Sequence, residues 1–468
     1  MSIGIDFGTT NSTLVNFSEK SGITCLGEDK IPLPSIVALN RKTGEVKTGF
    51  NVKSHIRELE SDHEVVLSIK TILDDLRKKW SIAGREWTTI DVAAEILKKL
   101  KESASENGIK AGEAVFAVPV NFSTAKKSCL REAAKQAGLK IKKFINEPTA
   151  AVMAHYDELK PYQNIVVFDW GGGTLDISAV EIEKGNIREL YTDGLPKAGN
   201  AIDNAFARKI YDNILSAGNV PPVAFDDLPH AELDSLISLA ESAKIKLSVS
   251  GDESTEEILR LHGKPHSAVF TRMDLNAVSE KLIDEAIEKL KHAAAVAFNE
   301  NVGRILCVGG SCNLRRLKEK MEKIWDKEKL CFPESPEWDV AKGACIIDAN
   351  RGVDMLSEDI CLKLSDNEDF VLLAKGQPVP TLTRRLVLST VDCGDTAYFV
   401  FKIGDKEYPA QLPVTGSVDE CLDLRVWIDE DYVFRAAAES SIRKDPRNIL
   451  DCDKVELCYH VEDINNDD

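Results

Sequence analysis

Two short segments limit what this chain can fold into: FDWGGGTLD at residues 168–176 and IGIDFGTTNST at residues 3–13. Each reads as an apolar strand, with Ile3 and Ile5 in one and Ile165, Val166, Val167 and Phe168 in the other. Each strand ends in an acid, passes through a tight turn of glycine and threonine, and continues as a second strand. Glycine reaches positive φ and carries no Cβ, so the N–H groups of such a turn can close around oxygen anions. Asp6 and Asp169 at the strand ends repel phosphate by themselves and therefore point to a hard cation, Mg²⁺, between carboxylate and phosphate. One such hairpin could be a surface turn only. Two copies of one hairpin suggest a clamp around a metal-bound polyphosphate.

With 468 residues the chain has room for two or three domains. Lys and Arg total 59 against 77 Asp and Glu, a net charge of −18 that repels nucleic acid and anionic lipid, so neither is expected as a partner. The N-terminal residues enter a strand directly, and no apolar run is long enough to cross a bilayer, which leads us to expect a cytoplasmic protein. Eleven cysteines include no CxxC pair and no histidine spacing suited to zinc; even the closest pair, Cys307 and Cys312, reads as reduced core thiols.

Along the chain, residues 30–39 pass through two prolines into a short apolar strand. Residues 65–74 place Lys70 inside an otherwise apolar helical pattern, where a lysine either lays its stem along the surface or reaches an anion. Val92, Ile96 and Leu100 mark an amphipathic helix over residues 89–101. A buried strand at residues 114–120 precedes a helix with Ser123 as N-cap and Gly138 as stop, then a strand at residues 143–146. Pro148 suits the first turn of a helix and keeps Glu147 extended, so Glu147 belongs at a strand-to-helix junction, either capping the helix or pointing into a cleft.

After the second hairpin we expect a helix over residues 204–215 and a mostly helical stretch over residues 226–248. In that stretch Glu241, Lys244 and Ser248 share one face, a pattern that also fits a solvated stripe. A long helix over residues 274–298 carries Leu275, Val278, Leu282, Ala286, Leu290 and Ala293 as its apolar stripe. RILCVGGSCNLRRLKEKM then gives a strand, a Gly-Gly turn and a helix, suited to a ribose or phosphate edge. Beyond residue 349 the pattern changes to short strands; alternation at Leu422, Leu424, Val426 and Ile428 argues an antiparallel sheet or sandwich. The tail EDINNDD reads as a frayed acidic end.

IGIDFGTTNS, AVPVNFS, INEPTAA, VVFDWGGGTLDIS and ILCVGG resemble, in the same order, the signature segments of the seventy-kilodalton heat-shock chaperones of the DnaK type. DxGTT alone is shared with sugar kinases and other actin-like ATPases, whereas INEPTAA with FDWGGGTLD is specific to the chaperones and close relatives. The resemblance implies an α/β actin-like ATPase fold of two ribonuclease-H-like lobes, followed by a small antiparallel β-sandwich. The expected boundaries are residues 1–350 for the nucleotide-binding domain, 351–358 for a linker and 359–468 for a β-rich peptide-binding-like domain without a helical lid.

It further implies ATP or ADP with Mg²⁺ as ligands. Asp6 and Asp169 would hold the hydrated metal, and Gly8, Thr9, Thr10, Asn11, Gly171, Gly172, Gly173 and Thr174 the phosphates. Lys70, Glu147, Thr174 and Asp176 would be catalytic, with Glu147 positioning the attacking water. Glu241, Lys244, Ser248, Gly309, Gly310, Ser311 and Glu337 would form the nucleoside pocket, and Pro119 matches the family's switch proline. Leu388, Val391, Tyr398 and Val400 would face an extended or unfolded polypeptide client, with co-chaperones and a nucleotide exchange factor as further partners.

The chain departs from the pattern in several places. Asn313 replaces an arginine that stacks on adenine, Ala198 and Gly199 stand for two glycines, and Lys127 replaces a relay arginine. Residues 350–358 lack the leucine run of the usual linker. The expected activity is hydrolysis of ATP coupled to peptide binding. A nucleotide-dependent interaction module and a small-molecule kinase on the same fold are the alternatives.

Overall fold

In the computed structural model, both hairpins form, and each is flanked by a parallel third strand. Ser2–Asp6 pairs antiparallel with Asn11–Ser18 and parallel with Glu113–Val118. Asn164–Trp170 pairs antiparallel with Leu175–Glu183 and parallel with Arg304–Val308. The strand Asn164–Trp170 reads as a nearly continuous apolar run because both of its faces are covered: Ile165, Val166, Val167 and Phe168 are all buried, as are Ile3 and Ile5 in the first hairpin.

The structure describes residues 2–18, 21–27, 31–218, 220–349, 352–453 and 455–461. Lys30, the boundary at residues 350 and 351 and the tail at residues 462–468 lie outside the described residues. The chain divides into two units: Met1–Asn121, Cys129–Ile182 and Glu189–Ala349 form one, and Phe122–Ser128, Glu183–Arg188 and Asn350–Asp468 the other.

Two glycines let the helix Asp339–Ala349 approach the first unit's backbone closely. A Cβ on Gly4 would lie 2.2 Å from the carbonyl oxygen of Ala341, and one on Gly343 1.6 Å from that of Ala150. The helix Glu147–Ala154 is thereby held against Asp339–Ala349, with Glu147 at its first turn.

Helix starts follow local chemistry. Thr88 and Asp91 form a reciprocal capping box for Thr89–Glu106, the Asp91 N–H donating to Thr88 Oγ1 at 3.2 Å. Ser123 Oγ accepts from the Lys126 N–H at 3.2 Å ahead of Thr124–Gln136, and Gly138 follows that helix at φ 68°.

Residues 65–74 do not form an α-helix. His63–Leu67 is a strand, with Val65 and Val66 opposite Ala38 and Val37, and Lys70 sits in the 3-10 turn Ile69–Ile72. The β-branched valines decide it, since they pack better on a pleated surface than in a helix. The helix expected from residue 204 starts five residues earlier, as Gly199–Ser216, because the Gly199 and Asn200 N–H groups donate to the carbonyls of Gly171 and Gly172.

The second unit has two four-stranded antiparallel sheets. Phe399, Phe401 and Ile403 from one and Leu422, Leu424, Val426, Ile428 and Phe434 from the other meet in one core, as the period-two pattern requires. Within residues 351–358, read as linker, Val353–Leu356 is a strand paired with Leu457–His460. The buried Leu356 joins that core, and Tyr432 Oη donates to Asp354 Oδ2 at 2.7 Å. Among the described residues no disulfide is formed.

Candidate active site

The tips of the two hairpins touch. A Cβ on Gly172 would lie 2.7 Å from Thr10 Cγ2, and one on Gly173 2.8 Å from Thr10 Oγ1, so a side chain at either position would displace the Thr10 side chain. Gly309, at φ 82°, brings the third turn against the same place: its Cβ would fall 2.6 Å from Asp169 Oδ1. Ser311 Oγ donates to the Gly171 carbonyl at 2.7 Å, tying that turn to the glycine run. Three glycine-bearing turns far apart in sequence therefore converge, with backbone able to approach a ligand closely.

Beneath the tips lies a buried charge cluster. Lys70 Nζ donates to Glu147 Oε1 at 2.6 Å; Lys70 is buried, and the Glu147 side chain is 13% exposed. Burial lowers the Lys70 ammonium, but Glu147 and Asp6 outweigh it, and its net shift is upward. Burial pushes the Glu147 carboxyl up to about 7 against the pull of Lys70, with Asp6 and Asp176 adding to the rise. Asp169 is held well above the ordinary carboxylate range by burial and then by Glu147, Asp176 and Asp6; Asp6 is also raised, chiefly by burial. Thr174 Oγ1 donates to Asp176 Oδ2 at 2.9 Å, and Asp176 stands opposite Asp169 in the hairpin register.

Four carboxylates around one ammonium favour either protons or an added cation. The buried Asp6 Oδ1, which has no hydrogen-bond partner, fits the cation. Among the described residues no three acidic, cysteine or histidine side chains are grouped as direct metal ligands, so a metal held here would keep its own water.

This electrostatics has a sign that can be checked. The Glu147 carboxyl moves from 4.5 to about 7 on folding, so the folded state binds more protons than the unfolded one across that window. The stabilisation is fully present below the unfolded value and is lost as pH rises through the folded value. In urea titrations without ligand, Glu147→Gln should lose less stability than wild type between about pH 5 and about pH 8. Equal losses in both proteins would refute the shift.

The helix His230–Val249 is engaged differently from a solvated stripe. Lys244 is buried, with Nζ 2.8 Å from Asp203 Oδ2 and 3.4 Å from the Gly199 carbonyl. Burial and then Glu241 raise Asp203, Lys244 partly opposing them, to about 6. Glu241 accepts from Lys53 Nζ at 2.7 Å, and Ser248 Oγ donates to the Lys244 carbonyl at 2.7 Å. Lys53 and Asp203 carry no signal in the sequence; Lys53 lies 188 residues from its partner.

Ser248 and Asn313 share a cavity of about 340 Å³ beside the Gly309 turn. Glu337 stands in the turn Pro336–Trp338, where burial raises its carboxyl. A smaller cavity of about 100 Å³ is lined by Pro119, Glu147, Asp169 and Asp176, so the proline singled out in the sequence reaches the charge cluster.

In the second unit, Arg384–Ser389, which carries Leu388, and Thr396–Ile403, which carries Tyr398 and Val400, fall in different sheets, pairing with Cys421–Ile428 and with Lys406–Pro413 respectively. Tyr398 alternates with the core residues Phe399 and Phe401 and points outward, 76% exposed; Val400 shares its parity. Val391 is 75% exposed on the connecting loop, whereas Leu388 packs partly on the core.

The Hsp70 protein family model matches residues 2–364. The chain is 31% identical over 355 residues to a chaperone protein DnaK of Mycoplasmopsis agalactiae, covering 74% of this chain and 58% of that one. A chaperone protein DnaK of Ureaplasma urealyticum is 30% identical over 359 residues, 74% of this chain and 57% of the relative. The matches thus span less than two thirds of the length of these relatives. From the converging glycine turns, the charge cluster between them and a family match over most of its length, the chain belongs to the Hsp70 family.

Proposed function

We propose that the chain is an ATP-hydrolysing chaperone of the DnaK type, working in the cytoplasm. In this reading residues 1–350 form an actin-like domain of two ribonuclease-H-like lobes, 351–358 a linker and 359–468 a β-sandwich that takes extended peptide segments. The observation that carries it is the Lys70–Glu147 pair at 2.6 Å, set among Asp6, Asp169 and Asp176 below the touching turns.

The turn N–H groups of residues 8–11 and 171–174 would bind the phosphates, with the Thr9, Thr10 and Thr174 hydroxyls beside them. Asp6 and Asp169 would hold hydrated Mg²⁺, which supplies charge neutralisation on the phosphates when bound. Glu147, with a pKa of about 7, is matched to accept a proton from water near neutral pH. As the water oxygen bonds to the γ-phosphorus, the bond to the β-phosphate oxygen breaks, and the leaving ADP takes the electron pair. Lys70 offsets the charge that spreads over the transferred group, and Thr174 and Asp176 orient the water. Glu241, Lys244, Ser248, Gly309, Gly310, Ser311 and Glu337 would border the nucleoside.

The decisive experiment is ATP hydrolysis measured with and without an unfolded peptide. Turnover that peptide stimulates supports the chaperone reading; ATP binding with no turnover would favour an interaction module.

Tyr398, Val400, Val391 and Leu388 would line the peptide surface, with co-chaperones and an exchange factor as further partners. A tyrosine at position 398, 76% exposed, puts a bulky ring on the surface where a small aliphatic side chain would leave room for a leucine-sized one, so binding should be weak and quickly reversed. Fluorescence anisotropy of a labelled extended hydrophobic peptide should give micromolar or weaker affinity that Tyr398→Val strengthens. Slow release from wild type, or no gain on substitution, would count against this surface.

A further inference from the structure

We propose that Cys307 and Cys312 are a dithiol that hydrogen peroxide closes to a disulfide across the Gly309–Gly310 turn, and that this bond weakens nucleotide binding. The proposal rests on the nucleotide reading above and adds to it a modification site that regulates it. Cys307 is in the strand Arg304–Val308 and Cys312 in the 3-10 turn Gly310–Asn313, and the Cys312 N–H donates to the Gly309 carbonyl at 3.0 Å. Both residues are buried, and their thiols hydrogen-bond each other. Two sulfurs already in contact need only a small approach to bond, and the two glycines between them leave that stretch of backbone free to make it.

Access comes from the cavity of about 340 Å³ beside this turn, whose lining includes both cysteines. Hydrogen peroxide is not much larger than water and fits such a space. Cys331, opposite Leu306 in the neighbouring strand, is the competing thiol, but its Sγ donates to Glu158 Oε2 at 3.8 Å.

One sulfur gives an electron pair to a peroxide oxygen, the O–O bond breaks, and water leaves with the thiol proton, giving a sulfenic acid. The second sulfur displaces the hydroxyl from the first, the S–S bond forms, and a second water carries away the remaining proton. The dithiol loses two electrons and two protons, and peroxide is reduced to water. Burial pushes the Cys312 thiol well above its usual range, so the pair reacts more slowly than the exposed Cys393 and Cys421.

The bond reaches the nucleotide site by two routes. Cys312 Sγ donates to the Val308 carbonyl at 2.9 Å and lies 3.6 Å from that of Phe168, one residue before Asp169. Oxidation removes the proton that makes this contact. Drawing Cys312 toward the strand also pulls on Ser311, whose Oγ holds the Gly171 carbonyl at 2.7 Å, and on Gly309, where a Cβ would fall 2.6 Å from Asp169 Oδ1.

The test uses the full-length chain with Cys393 and Cys421 replaced by serine, so that the exposed thiols do not consume the oxidant. After treatment with hydrogen peroxide and alkylation, trypsin releases residues 305–315 as one peptide that holds both cysteines. It should be unalkylated and lighter by two hydrogens, and should become doubly alkylated after dithiothreitol. ATP affinity should fall about tenfold on oxidation and return on reduction, whereas Cys312→Ser, which keeps a hydroxyl donor, should not respond to peroxide. A peptide that stays doubly alkylated, or a bond from Cys307 to Cys331 instead, overturns the proposal. So does a Cys307–Cys312 disulfide that leaves ATP affinity unchanged, and in each of these cases the nucleotide reading stands. If the reduced chain itself does not bind ATP, the nucleotide reading fails and the regulation fails with it.

Discussion

Replacing Lys70 with alanine is expected to lower ATP turnover by about 10²–10³-fold, or about 2.7–4 kcal/mol of transition-state stabilisation. Two effects act in the same direction. The ammonium that offsets charge on the transferred phosphoryl group is removed from a buried position, where little water can replace it. Glu147 also loses the partner that holds its pKa down to about 7, so its carboxyl keeps its proton at neutral pH and cannot accept one from water. Nucleotide binding should remain measurable, because the backbone donors of both glycine turns are untouched. Single-turnover hydrolysis set beside a nucleotide titration distinguishes the two quantities. A variant as fast as wild type would remove Lys70 from the mechanism, and a wild type as slow as the variant would remove hydrolysis from the function.

Gly343→Ala should destabilise the first unit by about 3 kcal/mol, at the upper end of what overpacking usually costs. The added Cβ would fall 1.6 Å from the Ala150 carbonyl oxygen and 2.4 Å from its carbon, and these are backbone atoms that cannot rotate away. The helices Asp339–Ala349 and Glu147–Ala154 must then separate, carrying Glu147 away from Lys70. A lower urea midpoint should therefore accompany a turnover loss that persists under conditions where the variant is folded. Shortening Ala150 to glycine in the same background should restore neither, since the obstruction is main chain. A midpoint equal to that of wild type would show that the helices slide apart without strain.

The sequence by itself determined what depends on near neighbours. Apolar strands ending in Asp6 and Asp169 and running into glycine and threonine specify both hairpins, because pairing and turn are set within about a dozen residues. Pro148 places Glu147 at the start of a helix by the same local logic, and alternation along residues 422–428 is enough for a strand with one buried face. Tertiary structure alone decided what depends on distant partners. A strand pairing between residues 36–40 and 63–67 puts Lys70 in a 3-10 turn rather than a helix and delivers it to Glu147, 77 residues away. Lys244 looks like a surface cation in its helix, yet Asp203 lies 41 residues before it and makes its burial tolerable. Residues 353–356 have no strand signal strong enough to stand out until Leu457–His460 pairs with them and Leu356 enters the core. Hydrophobic period and turn chemistry are written in consecutive residues, whereas the partner of a buried charge or an edge strand is chosen only when remote segments are brought together.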